Sequence, residues 1–225
     1  MSNRLELIAS LVTDGIGTAD VGTDHAYLPV MLAKRGYTGN LIGTDINIGP
    51  LRNAHLNLLE NGLIDRIQLI NCDGLSGCSP DSIDTIIVAG MGGDTITGIL
   101  DRAEWCSRDG IKLILQPVTK SEILRYWLIN NDFVITREEL VSENGTVYQI
   151  ICAVPGRDVR YSDAELYTGR FALIEHSPLF DEHIRINIKR FEHAVEGLRD
   201  AKRDGLEAWR IMLENILEEL YNANR

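Results

Sequence analysis

Between Gly17 and Pro117 five short apolar runs alternate with stretches whose apolar residues recur every third or fourth position. That alternation is restrictive, because short apolar runs bounded by turn signals belong to buried strands and the three-to-four spacing belongs to one-sided helices. Parallel strands need a crossover of a dozen or more residues, and a helix supplies it. The expected fold is therefore α/β, built on a mostly parallel sheet. An amphipathic helix (Leu5, Ile8, Leu11, Val12) opens the chain. Strands are expected at "GTADVG", "NLIGTD", "RIQLINCD", "DSIDTIIVAG" and "IKLILQP". Helices are expected through Met31 and Lys34, from about Pro50 to Asn61, from Asp94 to Ala103 and over "KSEILRYWLINN". Two further β-rich runs flank Asn144-Gly145, a dipeptide suited to a two-residue hairpin turn, so the last pair of strands should be antiparallel.

Past Pro155-Gly156 the β character stops, which divides the chain into a sheet domain, residues 1–156, and an appendage, residues 157–225. Residues 157–178 are mixed and aromatic. Ile184, Ile188, Phe191, Val195 and Leu198 then share one helical face, and Leu206, Trp209, Leu213, Ile216, Leu217 and Leu220 share another, with a break near Asp204-Gly205. Two antiparallel helices would bury these faces on each other. A chain of 225 residues and 25.1 kDa has room for both parts. No apolar run reaches the length of a membrane span and the N-terminus lacks a secretory pattern, so a cytoplasmic protein is expected, with no membrane partner. Cys72, Cys78, Cys106 and Cys152 stand apart without a C-x-x-C, which indicates reduced thiols and neither a metal site nor a disulfide framework. The net charge of −11 argues against broad nucleic-acid affinity, so an RNA partner would have to be met by a local patch.

Three strands end in acids, Asp20, Asp45 and Asp73. Ligands of open α/β sheets bind outside the carboxyl ends of the strands, where strand order reverses. Any one of these acids is explained as a turn former or helix cap, whereas three in register point to a shared cleft. A dinucleotide site requires G-x-G-x-x-G so that amides can approach the pyrophosphate, yet "DVGTDHAYLP" (Asp20–Pro29) offers only Gly22 before Thr23, Asp24 and His25. S-adenosylmethionine suits the loop better: it carries a ribose for Asp45, an adenine for Asp73, an ammonium group for Asp20, and a sulfonium in place of phosphate. "AGMGGDTI" sets Gly90, Met91, Gly92 and Gly93 between a buried strand and a helix, as a cofactor wall or as a tight turn capped by Asp94. Gln116 and Pro117, ending the fifth run, border the same cleft or form an ordinary helix entrance.

"DVGTDHAYLP", "AGMGG", "LILQP", "RYWLINNDFVITREELVSENGTVYQI" and the helical C-terminal segment together resemble the bacterial tRNA (adenine-22-N1)-methyltransferase family, TrmK. The resemblance covers nearly the whole chain, tightly to about Val154 and loosely beyond it. It implies a class I S-adenosylmethionine-dependent methyltransferase (Rossmann-like) domain with a C-terminal α-helical, coiled-coil-like hairpin, S-adenosyl-L-methionine as cofactor and tRNA as partner. By motif position, Asp20, Gly22, Asp45, Asp73, Gly74, Gly90, Met91, Gly92 and Gly93 would hold the cofactor, and Asp24, His25 and Tyr27 would border the methyl-transfer side. Tyr27 would hold or stack on the target base, Asp24 would accept from its amino group or offset the positive charge that grows on the ring, and His25 would orient either partner. The competing assignments make His25 a turn histidine and Tyr27 a core residue at a helix start. "AGMGG" replaces the N/D-P-P-aromatic stretch of enzymes acting on exocyclic amines, which agrees with an endocyclic nitrogen target whose lone pair is already available.

Lys189 and Arg190, with Arg185, Arg199, Lys202, Arg203 and Arg210 nearby in sequence, would meet the tRNA body. Residues 156–225 hold eleven Lys and Arg against fourteen Asp and Glu, so a hairpin that only braces or dimerises competes with that role. Two other functions fit the same residues: methylation of a small molecule or protein, and a non-enzymatic nucleotide- or RNA-binding module.

Overall fold

Ile86, Ile87 and Val88 are each fully buried, and they form the middle of β4 (Thr85–Gly92). A computed structural model, which describes residues 2–199 and 206–224, places this strand at the centre of one sheet. The others are β1 (Gly17–Val21), β2 (Asn40–Asp45), β3 (Ile67–Asn71), β5 (Lys112–Thr119), β6 (Phe133–Glu143) and β7 (Thr146–Pro155), in the order β3-β2-β1-β4-β5-β7-β6. Pairing is parallel from β3 through β5, while β7 runs antiparallel to both β5 and β6. Asn144 and Gly145 turn the last hairpin with φ of 51° and 78°, the positive values that such a turn needs. Strand order reverses between β1 and β4, so the ligand-binding edge lies at their carboxyl ends.

Helices cover both faces, and the pleat sorts the core between them. Ile86 and Val88 join a cluster with α4 (Gly93–Asp101) and α5 (Ser121–Asn130), while Ile87 joins one with α1 (Asn3–Leu11), α2 (Tyr27–Lys34) and α3 (Ile48–Glu60). Pro29 and Pro50 are tolerated at the third positions of α2 and α3, where no intrahelical amide bond is lost. Gly92, not Asp94, caps α4; Asp94 sits in the first turn and pairs with Lys120 at 2.5 Å.

Two short helices, α6 (Asp163–Thr168) and α7 (Phe171–Ile174), occupy the stretch that the sequence pattern leaves undivided. They are too short for periodicity to register, although Ser162 and Glu165 form a capping box at the start of α6. Beyond them, α8 (Phe180–Arg199) and α9 (Leu206–Ala223) share one apolar cluster with Ala164 of α6: Ile184, Ile188, Phe191 and Val195 meet Leu213, Ile216, Leu217 and Leu220. Trp209, expected on that face, is 55% exposed, because the packed length of α9 starts about a turn later, at Met212 and Leu213. The break near Asp204-Gly205 lies outside the described residues.

Arg125 of α5 ties these helices to the sheet. It is fully buried, pairs with Glu138 of β6 at 2.7 Å and donates to the carbonyl of Leu166 at 2.8 Å. Glu138 in turn accepts the amide of Arg170 at 2.7 Å. Among the described residues no helix is long and apolar enough to cross a membrane, and no group of three or more His, Cys, Asp or Glu is arranged to hold a metal. The four cysteines are unpaired.

Candidate active site

The loop between β1 and α2 departs from ordinary backbone at three positions: Gly22, Asp24 and Ala26 have φ of 72°, 48° and 55°. Left-handed backbone is natural for glycine and strained for the other two, and such strain is characteristic of functional loops. Gly22 answers this backbone demand, and the methyl end of Met91 fills the space where its Cβ would stand. The amides of Gly22 and Thr23 donate to the carbonyl of Thr44 at 2.8 and 2.9 Å, which curls the loop over the end of β2. Asn57 of α3 secures it from outside by donating to the carbonyl of His25 at 2.7 Å.

Asp20 points out of β1 beneath this loop and is only 5% exposed. The Thr23 hydroxyl donates to it at 2.6 Å. Burial pushes the Asp20 carboxyl up to about 6 and the nearby charge of Asp45 adds to the rise, while the Thr23 bond opposes it. A carboxylate so placed favours a cationic ligand. Tyr27, the first residue of α2, is 51% exposed and lies stacked on His25 at 5.2 Å with the rings 14° apart. It is therefore no core residue. His25 Nε2 stands 3.8 Å from Asp24 Oδ1.

Asp20, Gly22, Asp24, Tyr27 and Gly90 meet at one cavity of about 730 Å³. Two of its walls are unannounced in the sequence. Ser2, Asn3 and Arg4 at the start of α1 form one, and Ser142, Glu143 and Asn144 at the β6–β7 turn form the other. They are fastened together: the Ser2 hydroxyl donates to Glu143 at 2.5 Å, Arg4 pairs with Glu143 at 3.5 Å, and the Arg4 guanidinium lies 5.1 Å from the Tyr148 ring centre.

The remaining expected residues do not line this cavity. Asp45 ends β2 beside it, half-buried, with Oδ1 accepting the amide of Asn47 at 2.8 Å. Ile46, 63% exposed, is the apolar neighbour that sequence reasoning passed over. Asp73 lies two residues beyond β3 rather than at its end, and its carboxylate pairs with Arg102 at 3.0 Å. Gly74, at φ 58°, accepts the Thr44 hydroxyl at 2.8 Å. Gly93 is buried with its α-carbon against the carbonyl of Lys120, so its smallness serves the β4–α4 turn; Gly92 packs beside Thr119. Gln116 is fully buried behind Gly90, and Pro117 follows it within β5.

Lys189 and Arg190 are exposed on α8, the Arg190 guanidinium 5.6 Å from the ring centres of Tyr167 and Phe191. Arg185 donates to its own helix at Asp181, and Arg210 pairs with Glu207 and Glu214. Lys202 and Arg203 lie outside the described residues.

Residues 1–151 match the family described as Methyltransferase domain. Over 170 residues the chain is 32% identical to the tRNA (adenine(22)-N(1))-methyltransferase of Bacillus subtilis (strain 168), covering 75% of this chain and 71% of that one. The chain belongs to the tRNA (adenine-22-N1)-methyltransferase family. Solved structures agree over the full length. Streptococcus pneumoniae Sp1610 in complex with S-adenosyl-L-methionine superposes with a TM-score of 0.85 at 30% identity, covering 100% of both chains. The B. subtilis M1A22 tRNA methyltransferase TrmK superposes with a TM-score of 0.88 at 25% identity, covering 100% of this chain and 99% of that one.

For a member of this methyltransferase family the acids and the single tight glycine form a coherent set. Asp20, Gly22 and Asp45 sit around the ends of β1 and β2, and the amides of Gly22 and Thr23 are already given to Thr44, which fits a cationic, phosphate-free donor such as S-adenosylmethionine. The Asp24, His25 and Tyr27 side of the loop is more open.

Proposed function

We propose that this chain transfers a methyl group from S-adenosyl-L-methionine to N1 of the adenine at position 22 of tRNA. The observation that carries the reading is the cavity at the reversal of strand order, in a chain of this family, where buried Asp20 and exposed Tyr27 face the same space. When bound, the cofactor supplies an electrophilic methyl group on a sulfonium. The chain's own residues bind and orient. Asp20 answers the ammonium group, Asp45 accepts from the ribose hydroxyls, and Asp73 and Gly74 border the cofactor's adenine, with Ile46 offering an apolar surface to the same ring. Gly22 and Gly90 keep the backbone clear for close approach, and Met91 closes over Gly22.

Tyr27 holds the extruded base against its face, with His25 stacked behind it. Asp24 offsets the positive charge that the ring acquires on methylation. No general base is required, because N1 of neutral adenine already carries a lone pair. The rate gain thus rests on approach geometry. Lys189 and Arg190 meet tRNA phosphates on the appendage of residues 157–225, and the reaction takes place in the cytoplasm with its substrate.

The test is incubation of unmodified tRNA with the full chain and cofactor carrying a tritiated methyl group, followed by mapping of the modified nucleotide. Label at N1 of adenine 22 is expected; no incorporation, or label on another atom, overturns the reading.

A further inference from the structure

Ala89 and Gly90 line the cavity at the end of β4, and the peptide that joins them is held from behind. Gly90 donates its N–H to Oε1 of Gln116 at 3.1 Å, and Gln116 is fully buried. The same oxygen accepts Arg4 Nη1, while Gln116 Nε2 donates to the carbonyl of Pro117 at 3.0 Å. With both ends engaged, the carboxamide cannot exchange its oxygen for its nitrogen without losing every partner.

The Ala89–Gly90 peptide is trans, so the Ala89 carbonyl points opposite to the Gly90 N–H. The N–H faces β5, hence the carbonyl faces the β1 side. There the ladder has already ended: β1 pairs with β4 only as far as Val21 against Val88. The next two amides, of Gly22 and Thr23, are both committed to Thr44. A register shift between Ala89 and Met91, with Gly90 at φ 80°, marks a bulge at this point, the device by which a strand re-aims its groups beside a site. The carbonyl is left facing the cavity past the last sheet amide that could satisfy it.

We propose, resting on the adenine-22 reading above, that the Ala89 carbonyl accepts a hydrogen bond from the exocyclic amino group of the target adenine and that Gln116 is the positioning residue that aims it. An acceptor in this place reads the base by the group next to N1. Adenine presents a donor there, whereas guanine and hypoxanthine present a carbonyl that would oppose the Ala89 oxygen. N1 itself is left uncovered for the methyl donor. Gln116 acts without touching the substrate, and its burial follows from that role.

Two tRNA transcripts that differ only at position 22, adenine in one and unsubstituted purine in the other, test the proposal. The purine keeps the N1 lone pair and lacks the amino group. For the wild-type chain kcat/KM should be about tenfold higher with adenine, the effect of one hydrogen bond. In Gln116→Leu the ratio should fall, because the adenine transcript slows by more than the purine transcript does. Equilibrium binding of both transcripts in the presence of the demethylated cofactor should give the same preference without turnover. Equal rates on the two transcripts with the wild-type chain would overturn the proposal, and this comparison needs no variant to fold. An equal loss on both transcripts in Gln116→Leu would also overturn it, since a merely structural role predicts that. Absence of any methylation of the adenine transcript would instead remove the functional reading, and the proposal with it.

Discussion

A carboxylate buried like Asp20 carries a cost in the free protein that a cationic ligand can offset. Its ordinary value of 3.8 rises to about 6 in the folded chain. Between those values the folded chain holds a proton that the unfolded chain has released, so stability without ligand declines as pH rises through that window, by about 3 kcal/mol in all. Binding of a cation has the opposite trend. S-adenosylmethionine affinity measured by calorimetry should weaken about tenfold per pH unit below about 6 and level off above it, and in Asp20→Asn that dependence should vanish. At the neighbouring strand end, Asp45→Ala should weaken cofactor binding by about ten- to a hundredfold, the loss of one or two charge-assisted hydrogen bonds. Tyr27 is exposed and outside the core, so Tyr27→Ala should leave folding and cofactor binding intact. Stacking of a base on an aromatic ring is worth about 1–3 kcal/mol, so its tRNA turnover should fall by about tenfold or more, while Tyr27→Phe stays near the wild-type rate.

The elements that shape the site are joined by polar contacts buried between them, and these decide how the C-terminal helices sit. Arg125 of α5 meets Glu138 of β6 at 2.7 Å and also donates to the carbonyl of Leu166 and the side-chain oxygen of Gln149, while the amide of Arg170 donates to Glu138. Gly169 passes so close that a Cβ there would stand 3.2 Å from both Arg125 and Glu138, and its φ of 99° excludes other residues as well. Removing one partner of such a pair strands the other charge in the interior. Arg125→Met should therefore destabilise the chain by about 3–5 kcal/mol, read from the shift in denaturant midpoint, whereas Arg125→Met combined with Glu138→Leu should recover much of the loss. A midpoint equally low in the double variant would show that the pair's charge is not what the helices depend on.

Across the whole molecule the charge of −11 opposes a polyanion, so contact with tRNA depends on where cations stand rather than on how many there are. On α8 Lys189 and Arg190 are exposed and carry no carboxylate partner among the described residues, whereas Arg210 of α9 is bound to Glu207 and Glu214. Replacing both Lys189 and Arg190 by Ala should weaken tRNA binding and reduce the steepness of its salt dependence by up to about 1.8, at about 0.9 per phosphate contact, with cofactor affinity unchanged. An unaltered salt slope in a competition assay would assign α8 a bracing role instead.

The local pattern of the chain determined the alternation of strands and helices, the hairpin at Asn144-Gly145 and the acids at the ends of β1 and β2, because period, turn chemistry and strand-end position are all properties of neighbours in sequence. Gly22 was legible for the same reason, as the one glycine in a loop that must bend sharply. Strand order was not: nothing local says that β7 inserts between β5 and β6, or that β1 and β4 are adjacent where the order reverses. The wall made by Ser2 to Arg4 and the β6–β7 turn joins residues more than a hundred positions apart, and the burial of Arg125 against Glu138 depends on α6 packing over α5 and β6. Gln116 shows the difference within one residue. Its place in the fifth strand was visible in the sequence, although that strand runs on to Thr119 and does not end at Pro117; whether its amide faces a ligand or the backbone of Gly90 depended on which strand lies beside β5, and only the packed sheet settles that.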